Sequence, residues 1–126
     1  MLNRIEIMGR LTAAPELRRI NTGEAVCSFT LACERDFKKD KDVDFVMCVA
    51  WKNNAEYLCR YGEKGRVVIV EGRLLSRDWT DKNGQKRLSW EVSVTNLYFG
   101  DHTKTKINEL ADKFDEIADS EEELPF

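Results

Sequence analysis

The side chains with the most chemical content are aromatic and basic, and they occur together. Trp51 is followed by Lys52, and Trp79 stands two residues after Arg77. Phe37 sits among Arg35, Lys38, Lys39 and Lys41. Flat π faces stack on nucleobases of any identity, each stacked base contributing roughly 1–3 kcal/mol without readout of sequence. Interleaved Arg and Lys neutralise phosphates, and Arg adds cation–π contact. Residues for bond-making chemistry are scarce. His102 is the only histidine, and Cys27, Cys33, Cys48 and Cys59 contain no CxxC pair. That pattern offers no zinc ligand set, no nucleophile triad and no phosphate-cradling loop. No catalytic residue, metal or cofactor is expected. The carboxylates of residues 36–44 alternate with lysines and read as a solvated loop rather than a Mg²⁺ site.

The elements that must position these side chains are strands. Residues 3–11 alternate, with Ile5 and Ile7 on one side and Arg4, Glu6 and Arg10 on the other. Residues 13–25 contain Pro15 and Asn21-Thr22-Gly23 and read as a loop with a turn. In residues 26–34, Cys27, Phe29, Leu31 and Cys33 share one face, which makes the cysteines core residues. Residues 45–51 form a third strand. Asn53 or Asn54 is expected to cap a short helix ending at Tyr61, with Gly62 as its C-terminal stop. Residues 66–77 form a fourth strand in which Gly72 marks a bulge or bend. Asp81-Lys82-Asn83-Gly84 predicts a hairpin with a type I′ turn, and residues 88–99 complete the set. Five strands with a helix between the third and fourth suit a small Greek-key barrel, the OB-fold. The fold class expected is therefore all-β, with one short helix and an acidic C-terminal tail.

Two strands depart from the pattern of one apolar and one polar face. In residues 45–51, Val46, Cys48 and Ala50 form the inward set, yet Phe45, Met47, Val49 and Trp51 make the opposite set apolar too. In the fourth strand, Val68, Val70, Gly72 and Leu74 face in, while Glu71, Arg73, Leu75, Arg77 and Trp79 face out. An outward face of aromatics interleaved with arginines is what base stacking requires. Trp90 shares parity with Leu88, Val92 and Val94 and reads as core or subunit interface, and Tyr57 and Tyr61 as packing residues on the helix.

The formal net charge of −3 hides an asymmetry. Residues 1–100 carry 17 Lys+Arg against 14 Asp+Glu, and residues 101–126 carry 3 against 9. A mildly basic body favours an anionic partner, and an acidic tail is an interaction or solvation segment. Within the tail, Ile107, Leu110, Ala111, Phe114 and Ile117 follow helical spacing. The tip, Glu121, Glu122, Glu123, Leu124, Pro125 and Phe126, is three carboxylates and an apolar end, suited to carboxylate capture by a partner protein. The N-terminus has no apolar stretch, and no run approaches the ~20 residues of a membrane span. A cytoplasmic protein with reduced cysteines is expected.

LNRIEIMGRLT at the start, PELRRINTGEAVCSFTLA, YGEKGRVVIVEGRL, RDWTDKNGQKR and the terminal EEELPF together resemble the bacterial and phage single-stranded DNA-binding protein family. The resemblance covers residues 1–99 and the last six. It implies an OB-fold over residues 1–100, a linker over 101–120 and a partner-binding tip over 121–126. It implies a nucleoid-associated, non-enzymatic homotetramer that coats single-stranded DNA and recruits replication, recombination and repair enzymes through the tip. The family's stacking positions fall on Phe37, Phe45, Trp51 and Trp79, with Phe at 37 and 45 where the family often has Trp. Its phosphate contacts fall on Arg4, Arg10, Arg35, Lys52, Arg73, Arg77 and Arg87. A stacking face alone does not separate DNA from RNA, since that choice rests on contacts to the 2′-hydroxyl.

Overall fold

The computed structural model describes residues 1–36 and 42–100. Those residues form strands β1 (Ile5–Leu11), β2 (Arg18–Arg19), β3 (Ala25–Glu34), β4 (Val43–Trp51), β5 (Val67–Thr80) and β6 (Lys86–Phe99), with helix α1 (Lys52–Tyr61) between β4 and β5. The sheet order is β1-β5-β6-β4-β3-β2, and a further β1–β3 pairing closes the ring. All ladders are antiparallel except β4–β6, which pairs Cys48 with Val92 and Val49 with Ser93. This is the OB-fold barrel. The 13–25 segment expected as loop holds β2, whose two residues pair with Val26 and Ala25 across the turn at Gly23.

Period-2 alternation builds the core. Cys27, Phe29 and Leu31 from β3, Cys48 and Ala50 from β4, Val68 and Val70 from β5, and Val92, Val94 and Leu97 from β6 are buried, with Leu58 of α1 sealing one end. All four cysteines are free thiols. Burial pushes the Cys27 and Cys48 thiols up to about 12, so both stay protonated and unreactive at neutral pH.

Four local expectations are corrected. The helix begins at Lys52, with Trp51 at its N-cap and no side-chain cap bond, so neither Asn53 nor Asn54 caps it. The Asn54 amide instead donates to Thr95 O (3.0 Å). Thr95 is the extra residue of a bulge: Glu71 pairs with Asn96 and Gly72 with Val94, leaving Thr95 without a rung. Gly72 is required opposite it, because a Cβ there would lie 2.0 Å from Ser93 O.

The hairpin turn is not type I′, since neither Lys82 nor Asn83 has positive φ. Gly84 takes φ 78°, its N–H donates to Asp81 O, and Asp81 N–H donates to Gln85 O, a three-residue loop with the glycine in the left-handed position. Leu74 is exposed rather than core, because β1 ends its ladder at Ile5–Gly72 and only the Asn3 amide reaches the Leu74 backbone. Of the two readings for Trp90, the structure overturns core only: Trp90 and Leu88 are each 55% exposed. They lie on the outer half of the β5–β6 hairpin, beyond the rungs that β6 shares with β4.

Candidate nucleic-acid interface

The outward side chains of β4 meet those of two flanking hairpins. One cross-strand row runs Arg18–Val26–Trp51, and the next joins Val49 to Ser28. On the other side, Trp79 pairs with Arg87 and Arg77 with Ser89 along β5–β6. Between them lies a groove of about 520 Å³ lined by Trp51, Trp79, Arg77, Met47, Val49, Arg18, Arg19, Ser89 and Glu91, among others. Phe45, 67% exposed, continues the same face of β4 six residues before Trp51, ~20 Å along the strand. Trp79 is 50% exposed. Three aromatics thus present unburied faces along one surface, a geometry that serves stacking.

Lys52 follows Trp51 with φ 55°, the one left-handed non-glycine residue among those described. Such a conformation costs of order 1–3 kcal/mol and persists where the surroundings impose it. Here it turns the chain from β4 directly into α1.

The nominated cations are mostly engaged already. Arg35 forks onto Asp44, with Nε and Nη2 donating to the two carboxylate oxygens at 3.0 and 2.8 Å. That hydrogen bonding holds the Asp44 carboxyl below its ordinary value and raises Arg35. Arg77 donates from Nε (3.1 Å) and Nη2 (2.7 Å) to Glu91 Oε1, and the Glu91 side chain is only 12% exposed. Arg87 bonds Asp81 Oδ2 (3.0 Å), while the Asn83 and Gln85 N–H groups donate to Asp81 Oδ1. The backbone N–H of Gln85, then Arg87, lowers the Asp81 carboxyl. Lys52 Nζ lies 3.8 Å from Glu24.

The structure does not bring all the nominated residues together. Arg4 pairs with Glu6 (2.9 Å) and shares a separate depression with Arg73. Arg10 donates to Gly65 O (2.9 Å) and lines a third depression, with Met8 and Glu34. Phe37 and Glu121, Glu122, Glu123, Leu124, Pro125 and Phe126 lie outside the described residues, as does the apolar spacing from Ile107 to Ile117. Conversely, Arg18 and Arg19 line the groove and were not singled out in the sequence. Arg18 Nη2 donates to Ser28 Oγ (3.2 Å) and has no carboxylate partner among the described residues. The Asn21-Thr22-Gly23 turn was the available signal, since a tight turn before a strand implies a partner strand ahead of it.

No group of three or more His, Cys, Asp or Glu among the described residues is placed to hold a metal ion, and no described helix is long and apolar enough to cross a membrane. The model of the single-strand binding protein family matches residues 2–100. The chain belongs to that family. The family match spans the barrel and stops at Gly100. Single-stranded DNA-binding protein A of Bacillus subtilis (strain 168) is 39% identical over 102 residues, covering 79% of this chain and 59% of the relative. Single-stranded DNA-binding protein 2 of Clostridium acetobutylicum is 41% identical over 101 residues, covering 78% and 76%. Single-stranded DNA-binding protein 1 of Lactococcus lactis subsp. lactis is 35% identical over 109 residues, covering 84% and 73%. The chain thus spans about three fifths of the length of its Bacillus family member.

Proposed function

We propose that this chain binds single-stranded DNA without sequence preference, by stacking and phosphate contacts, and performs no catalysis. The observation that carries the reading is the groove in which Trp51 and Trp79, from different hairpins, flank Arg18 and Arg77. Phe45 extends the track along β4, and Phe37, with the lysines around it in sequence, is a further stacking position of this reading. The names of the family relatives agree with this ligand. Of the cations nominated from sequence, Arg77, Lys52 and Arg87 adjoin the groove tryptophans, in sequence or across the ladder, and are the phosphate contacts favoured. The chain assembles as a homotetramer in the cytoplasm, at the nucleoid. A cross-strand row of Met8, Ile69 and Tyr98 on the outer face of β1–β5–β6 supports self-association, because Met8 and Tyr98 are exposed and apolar. The tip, residues 121–126, recruits replication, recombination and repair enzymes.

The test is tryptophan fluorescence titrated with oligo-dT, oligo-rU and duplex of equal length, at low and high salt. Strong quenching by the single DNA strand that persists at raised salt is expected. Binding that vanishes with salt, or prefers duplex, overturns stacking, and preference for oligo-rU reassigns the ligand to RNA. Deleting residues 121–126 is expected to leave oligo-dT affinity equal or higher.

A further inference from the structure

The sequence contains an apolar stripe that single-strand binding leaves unused. Ile107, Leu110, Ala111, Phe114 and Ile117 are spaced as one face of a helix. A helix of about 15 residues is marginal in water unless its apolar face finds a surface to pack on. The chain reaches that stripe from Gly100, whose N–H donates to Val67 O (3.0 Å).

Beside that exit lies an aromatic ledge. The Phe99 ring lies 5.3 Å from Tyr57, centroid to centroid, and Tyr57 meets Tyr61 edge-on at 5.2 Å. The Arg66 guanidinium sits 3.8 Å from the Phe99 ring centroid, and its Nη1 donates to Tyr61 O (2.6 Å). Tyr57 and Tyr61 are one helical turn apart on α1 and are 43% and 48% exposed. Tyr57 packs on both Tyr61 and Phe99, and the two tyrosines keep part of their surface open to solvent.

We propose that the 104–118 stripe of the same chain docks on this Tyr57–Tyr61–Phe99 ledge. Charge supports that occupant. Residues 101–120 carry six Asp+Glu against three Lys, and helical spacing sets Asp112, Asp115 and Asp119 along one flank of the stripe. Arg60, Lys64 and Arg66 lie in the sequence that forms and follows the end of α1, and Glu56 there is already met by Arg19 at 3.5 Å. Reach is sufficient, since six residues lie between Gly100 and Ile107 and the seven steps from one to the other extend to at most ~25 Å. The Met8–Ile69–Tyr98 row is also apolar, but two rungs along, on the same face, Glu6 stands opposite Glu71, which repels an acidic segment.

Amide hydrogen exchange on the full chain tests this. The 104–118 amides are expected to exchange about tenfold or more slowly than in a free peptide of the same sequence. Protection falls to the peptide's level in Tyr57→Ser/Tyr61→Ser and in Phe114→Ser, and survives Tyr57→Phe/Tyr61→Phe. Phe114 follows the last barrel strand in sequence, so Phe114→Ser keeps the test valid if the double tyrosine variant fails to fold. Oligo-dT quenching stays unchanged in Phe114→Ser, so failure here is distinguishable from failure of the DNA reading. Native amides that exchange at the peptide's rate overturn the proposal. So does protection that survives the serine pair, or that fades on dilution because a second copy supplies the surface.

Discussion

Two outward faces of this barrel expose large apolar side chains, and they differ in what surrounds those side chains. On the groove face, Trp51, Met47 and Trp79 are interleaved with Arg18, Arg19 and Arg77 between two hairpins. On the outer face of β1–β5–β6, Met8, Ile69 and Tyr98 form one row, bordered by the Glu6–Glu71 rung. Apolar exposure alone would assign both to the same kind of partner. The cations separate them: an apolar, cationic groove fits a polyanion with stacking faces, whereas a row without clustered cations fits another protein surface.

The strongest way to break this contrast is Trp51→Ala/Trp79→Ala. Removing two stacking faces is expected to weaken oligo-dT binding about a hundredfold or more, read by fluorescence anisotropy of labelled DNA, with sedimentation unchanged. A loss that appears in sedimentation as well would mean that the groove face also holds copies together. Met8→Asp comes next. It places a carboxylate beside Glu6 and Glu71 and is expected to weaken self-association about tenfold or more while each barrel keeps its DNA contacts. The smallest effect sharpens the groove itself. Arg18→Ala should cost up to about fivefold in oligo-dT affinity, the scale of one solvent-exposed ion pair. Arg87→Ala should cost less, because Arg87 is already committed to Asp81. Equal losses would show that the existing ion pair does not matter to binding.

The strands and most of their inward faces were legible because a strand with one buried face writes its register into the sequence every second residue. Cys27-Phe29-Leu31 and Val68-Val70 are buried where alternation puts them. Gly72 announced a bulge, although the extra residue itself is Thr95 on the partner strand. What escaped was set by tertiary geometry. Two residues of β2 are too few to show a period, so Arg18 was hidden in a loop. Parity could assign Trp90 to the side of Val92, but not reveal that the hairpin outruns the barrel there. Arg77 and Glu91 are 14 residues apart and meet only through the β5–β6 register. Arg4 and Arg10 have the outward parity of β1, but closure of the sheet turns that strand away from the groove.

The paired arginines have a thermodynamic consequence. A protein cation that meets DNA normally releases a condensed counterion, and log affinity falls with log salt by about 0.7 per neutralised phosphate on single strands. Arg35, Arg77, Arg87 and Lys52 instead carry built-in counterions: Asp44, Glu91, Asp81 and Glu24. A phosphate that takes one of these cations leaves a carboxylate behind, which recruits a cation from solution. That uptake offsets the release on the DNA. The salt dependence of binding should therefore be flatter than the number of basic residues along the track, with the aromatic faces setting the affinity that remains in concentrated salt.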